Sequence, residues 1–155
     1  MNYRKDIFEK SWKKLVENAL NGKFNPLSEG DVQAYLYYLC LNKINNPLMI
    51  HAEWRGQKRK EMDLMLGEKE LVINIKWKMI RKPFLKNKKL IEDLKKLSEQ
   101  NNVKEKAFAI IFRKKNSPFP TNLKELTKRQ QEIINGIIKE AKKRGIKVYT
   151  TFSLK

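Results

Sequence analysis

The sequence predicts an α/β fold, a mixed sheet flanked by helices, and three observations carry that prediction. Apolar spacing alternates between the three-to-four residue period of a helix and the two-residue period of a strand. Three short strand-like runs follow one another with glycine-led turns between them. Further on, Ala107–Phe112 is an unbroken apolar run between two amphipathic stretches, as in a strand buried on both faces. The 155 residues match the size of one domain, 1–155, and 41% hydrophobic residues suffice for a real core.

Residues 3 to 20 open the chain with a helix whose stripe is Ile7, Phe8, Trp12, Leu15, Val16 and Leu20. Asn21-Gly22 ends it. A second helix begins at Ser28, an N-cap, with Asp31 at the reciprocal capping position and Leu27 and Val32 as a hydrophobic staple. It runs to about Leu41 and buries Val32, Tyr35, Leu36 and Leu39. Leu48–Arg55, Lys60–Leu66 and Leu71–Met79 then read as an antiparallel meander, turned at Gly56-Gln57-Lys58 and Gly67-Glu68-Lys69. A helix from Phe84 to about Gln100, the buried strand, a loop at Ser117–Pro120, a helix from Leu126 to Lys143 and a strand from Ile146 to Phe152 complete the order. Gly145 stops the last helix. The connection from the third strand through a helix to the fourth calls for a parallel pairing.

Charge narrows the function. Lys and Arg number 35 against 17 Asp and Glu, a formal net charge of +18. A compact chain tolerates such self-repulsion where a polyanion is the partner, and nucleic acid is the first candidate. No run approaches the roughly 18 apolar residues of a membrane span, and the start has no apolar leader, so a soluble cytoplasmic protein without a membrane partner is expected. Cys40 is the sole cysteine, which removes internal disulfides and makes a cysteine-based zinc site a poor expectation. It falls within an apolar helical stretch and reads as a small buried hydrophobe. His51, the single histidine, has no glycine-rich nucleophile elbow to serve, and no phosphate loop or dinucleotide fingerprint occurs.

Carboxylates and lysines around the meander are more informative. Asp63 interrupts the apolar strand Met62–Leu66, where it must be solvated, paired or metal-bound. On the next strand Ile73, Ile75 and Trp77 point one way, Asn74 and Lys76 the other, and a hairpin brings that polar pair beside Asp63. Glu29, one turn before Gln33, opens the second helix, and Glu53 on the first strand offers another carboxylate. A cross-strand ion pair between Asp63 and Lys76 is the purely structural alternative.

These pieces resemble the PD-(D/E)xK nuclease superfamily, the restriction-endonuclease-like fold. The resemblance spans roughly residues 27 to 113: Ser28–Gln33 opening a helix, Glu61-Met62-Asp63-Leu64 on a strand, Ile73–Trp77 on the next, then the helix with Asp93–Leu97 and a buried strand. It implies a DNA endonuclease that uses Mg²⁺ or Mn²⁺, non-specific or structure-specific. Asp63, Glu29 and the Ile75 backbone carbonyl would hold the metal. Lys76 would orient water or offset charge on the phosphate, and Gln33 and Glu53 would be accessory. The family's second motif carboxylate is replaced by Asn74, nearly isosteric but uncharged. That leaves open an active variant, an inactive DNA-binding module and an engineered change.

From Lys76 to Leu90 seven basic residues occur without an acidic one. Lys78, Arg81, Lys82, Lys86, Lys88 and Lys89, together with Lys58, Arg59 and Lys60, form the expected DNA-binding footprint, a phosphate-contacting one. A homodimer would suit double-strand cleavage. A basic RNA-binding protein is the remaining alternative, without an aromatic-rich sheet signature to support it.

Overall fold

The computed structural model describes residues 3–44, 49–55, 61–80, 87–114 and 126–151. Two helices lead, α1 (Tyr3–Leu20) and α2 (Glu29–Leu41), followed by β1 (Ile50–Arg55), β2 (Glu61–Leu66) and β3 (Leu71–Ile80). Then come α3 (Asn87–Ser98), β4 (Glu105–Lys114), α4 (Lys128–Lys143) and β5 (Ile146–Thr150). Among the described residues the sheet has five strands in the order β1-β2-β3-β4-β5. The β1–β2 and β2–β3 pairings are antiparallel, and β3–β4 and β4–β5 are parallel. An antiparallel meander continued by parallel strands is the mixed sheet that the sequence anticipates. The Gly56 turn, the Ser117–Pro120 loop, Leu48, Phe84 and Phe152 lie outside the described residues.

Helices cover both faces of the sheet. Phe8, Trp12 and Leu15 of α1 and Val32, Leu36 and Cys40 of α2 pack on Leu64, Ile73, Ile75, Ala109 and Ile111. On the other face Leu90, Leu94 and Leu97 of α3 and Ile134, Ile137 and Ala141 of α4 pack on Val72, Phe108, Ile110 and Phe112. β4 therefore alternates between two buried faces, which is why its sequence shows no polar alternation. The first helix is tied to the far strand by its Trp12 indole N–H, which donates to the Thr150 carbonyl at 3.1 Å. Phe8 meets Tyr149 edge-on at 4.8 Å.

The start of α2 is capped by Ser28, whose hydroxyl accepts the Asp31 N–H at 3.2 Å. The reciprocal bond differs from the expected capping box: the Asp31 carboxylate accepts from the Leu27 N–H at 2.8 Å, one residue earlier than Ser28. The expected staple does not form either, because Leu27 is 76% exposed while Val32 is fully buried. The two bonds at the first turn fix where α2 enters and so where Glu29 stands. Gly67 and Lys69 turn the second hairpin with positive φ, 69° and 56°.

Cys40 is buried, and burial pushes its thiol up to about 11, with a Ser11 hydrogen bond opposing only part of that. Thiolate is the reactive form, so the native protein is expected to ignore a chromogenic disulfide reagent and to titrate one thiol in denaturant. Prompt reaction of the native protein would contradict this burial.

Candidate active site

The site is made where two strands part. β2 and β3 pair at Leu66↔Leu71, Met65↔Val72 and Leu64↔Ile73, and the ladder ends there. Beyond that point the Ile75 N–H donates to a carboxylate oxygen of Asp63. A side chain has replaced the backbone acceptor that a continuing ladder would supply. The N–H and C=O of one strand residue point to the same edge, so the Ile75 carbonyl faces this same gap. β2 also loses its regular alternation here. Leu64 and Leu66 belong to the first core, whereas Met62 and Met65 belong to the second, so the pattern slips at Asp63. Across from it on β1, Glu53 has φ of +52°, and the β1–β2 register passes from Ala52↔Leu64 to Trp54↔Met62. Both strands are thus irregular at the position where the β2–β3 ladder stops.

Lys76 stands on the face of β3 shared with Val72 and Asn74, by simple alternation. Its ammonium lies 3.2 Å from an Asp93 oxygen and 3.6 Å from a Glu29 oxygen. Side-chain exposure is 14% for Lys76, 9% for Asp93 and 43% for Glu29, so two of the three partners are largely out of water. Burial works to lower the Lys76 pKa, but Glu29, Asp93 and, at longer range, Asp63 together raise it above the ordinary lysine value. Lys76 is therefore an ammonium throughout the neutral range, suited to offsetting phosphate charge and not to accepting a proton. Each carboxylate comes from a different element: α2, β2 and α3.

Asp93 was not among the residues singled out for the site. α3 turns Leu90, Leu94 and Leu97 toward the sheet, and Asp93, three residues after Leu90, shares that side and is 7% exposed. An acid on the apolar stripe of an amphipathic helix was the available signal. Asn74 is also buried, at 8% exposure, on the face of β3 that carries Lys76.

The other expected residues divide. Gln33 and Glu53 come together in an open cavity of about 370 Å³ between α2 and β1, one helical turn from Glu29. Of the basic footprint, Lys88 and the exposed Lys89 lie in the first turn of α3, and Lys78 lies on β3. Lys58, Arg59, Lys60, Arg81, Lys82 and Lys86 fall outside the described residues. His51 is exposed on β1, paired with Met65, two positions along the strand from Asp63.

Among the described residues no three His, Cys, Asp or Glu side chains converge as a ready metal cage. Mg²⁺ seldom requires one, since it keeps several waters and takes one or two carboxylates together with the substrate's phosphate. Asp63, Glu29 and the Ile75 carbonyl are hard oxygen donors, the kind such an ion takes.

Two solved structures are similar to this chain. One is a chain of the CdiA-CT/CdiI toxin and immunity complex from Yersinia pseudotuberculosis, 15% identical, with 66% of this chain and 89% of that chain covered at a TM-score of 0.47. The other is Pyrococcus furiosus SfsA in complex with Ca²⁺, 14% identical, with 78% of this chain and 56% of that chain covered at a TM-score of 0.41. No family model and no curated protein matches. The functional reading accordingly rests on the residues of this chain. Among the described residues no helix is long and apolar enough to cross a membrane.

Proposed function

We infer that the protein is a divalent-metal-dependent nuclease that hydrolyses phosphodiester bonds of DNA without reading an extended sequence. The observation that carries this reading is the Lys76 ammonium, held between Asp93 and Glu29 where Asp63 caps Ile75 and the sheet opens. A solvated ion pair needs no such convergence from three elements. When bound, Mg²⁺ or Mn²⁺ supplies Lewis acidity toward the phosphate and a more acidic water. Asp63, fixed through the Ile75 N–H, and Glu29 would hold the ion, with the Ile75 carbonyl on the same edge. Lys76 places a point charge where negative charge develops on the phosphate oxygens, in a half-buried setting that strengthens it. Asp93 positions Lys76 and keeps it charged. The chain's excess of positive charge concentrates the polyanion and gives a steep salt dependence, near −0.9 in log–log slope for each phosphate neutralised.

Asn74 favours one second reading, a nuclease fold that binds DNA without cutting it. Incubation of supercoiled plasmid and of a folded RNA at low salt in Mg²⁺, in Mn²⁺ and in EDTA separates the readings. Nicked plasmid in either metal and intact plasmid in EDTA is the expected result. Tight, salt-sensitive binding with no nicking in either metal would move the assignment to the binding module, and cutting confined to RNA would overturn the DNA assignment.

A further inference from the structure

A second feature adjoins the Asp63, Glu29 and Lys76 cluster. Gly30, Gln33, Ala34 and Tyr37 occupy one stripe of α2, at the three- and four-residue spacings that share a helix face. They line the 370 Å³ cavity with Ala52 and Glu53 of β1. The cavity exists because glycine and alanine stand where larger side chains would fill the space against the strand. A Cβ built on Gly30 touches nothing closer than the Ser28 hydroxyl at 3.5 Å, so room is not created by backbone crowding. Tyr37 packs on the first core and forms a fixed aromatic wall.

The chemistry of the lining is unlike that of the phosphate-attracting remainder of the chain. Glu53 repels phosphate but accepts hydrogen bonds from N–H groups, and Gln33 both donates and accepts. Tyr37 offers a ring against which a base can rest. We propose that the cavity binds an unstacked guanine of single-stranded nucleic acid, with Glu53 accepting from the adjacent N1–H and N2–H groups and Gln33 donating to O6. Guanine presents two neighbouring donors to one carboxylate. Adenine and cytosine set a ring-nitrogen acceptor beside their amino group, which a carboxylate repels, and thymine or uracil offers one N–H between two carbonyls. Glu53, part of this lining, has a left-handed backbone. The inference rests on the nucleic-acid reading above and adds a base preference next to the proposed site of hydrolysis.

The test is a binding measurement in EDTA, so that it does not depend on cleavage. Fluorescence anisotropy compares short labelled oligo-dT strands carrying one central dG, dA or dC with plain oligo-dT, and repeats the set in oligo-U carrying one G. The dG strand is expected to bind about tenfold tighter than the others, the discrimination typical of one bidentate base contact. The same preference is expected in RNA, because the lining reads the base. Glu53→Gln should bring the ratio to about one, and Ala34→Leu, which fills the cavity from an exposed helix position, should do the same while melting like the parent. Equal binding of all four bases overturns the inference, as does a guanine preference that survives both substitutions. Plasmid nicking without a base preference would sink this inference and leave the nuclease reading standing. A guanine preference without nicking would do the reverse.

Discussion

Lys76→Met will abolish cleavage while leaving DNA binding nearly intact. The substitution keeps the apolar stem and removes the ammonium that lies 3.2 Å from Asp93 and 3.6 Å from Glu29. Loss of a charge aimed at a developing oxyanion costs about 10²- to 10³-fold in rate, which would take nicking below detection. It also has a structural cost, because Asp93 is left as a buried carboxylate without its cation. That cost should be about 2–3 kcal/mol, below the full penalty of a deeply buried pair because Glu29 stays in contact with water. The double variant Lys76→Met/Asp93→Asn removes both charges and is expected to recover most of the lost stability. It should recover no cleavage. Chemical denaturation and plasmid nicking on the three proteins therefore separate the structural role of the pair from its chemical one. Recovery of nicking in the double variant would reduce Lys76 to a structural ion-pair partner.

Asn74→Asp should strengthen metal binding at least about tenfold, equivalent to about 1.4 kcal/mol. The substitution is nearly isosteric at a position only 8% exposed, so packing changes little and charge changes by one. Without metal the new carboxylate joins Asp63, Glu29 and Asp93 around a single ammonium, and the variant should melt below the parent in EDTA. In Mn²⁺ the order should reverse, because a ligand that binds only the native state stabilises it in proportion to its affinity. Thermal melts of both proteins across a Mn²⁺ titration check this crossing. Parallel melting curves at all metal concentrations would show that position 74 does not face the metal.

Much of this architecture could be read from residue order because its elements obey simple periods. The switch from helical to two-residue spacing after Asn45, and the doubly buried run at Ala107, follow from which faces are covered, a local property. The resemblance pointed to Glu29, Asp63 and Lys76, and the fold brings Glu29 to Lys76 and Asp63 to the adjoining backbone. Hydrogen-bond routing was less legible. That Asp63 would take the Ile75 N–H depends on the strands separating after Leu64, which no local pattern encodes. The resemblance makes Glu53 an accessory carboxylate of the site. The structure places it with Gln33 in the lining of one open cavity, at a left-handed backbone angle that such a residue ordinarily avoids and no local pattern signals. Asp93 lies in a lysine-rich helix, and only the packing of α3 against the sheet shows it to be buried.

The central claim is that Asp63, Glu29 and Lys76 make a metal-dependent hydrolytic site, and one comparison tests it most directly. Asp63→Asn keeps an oxygen that can accept the Ile75 N–H and removes the charge that would hold the ion. Parent and variant are incubated with supercoiled plasmid in Mn²⁺ at low salt, with binding followed on the same samples by mobility shift. The parent is expected to nick, the variant to leave the plasmid intact, and both to shift the plasmid alike. A parent that binds but never nicks, or a variant that nicks as fast as the parent, would contradict that claim.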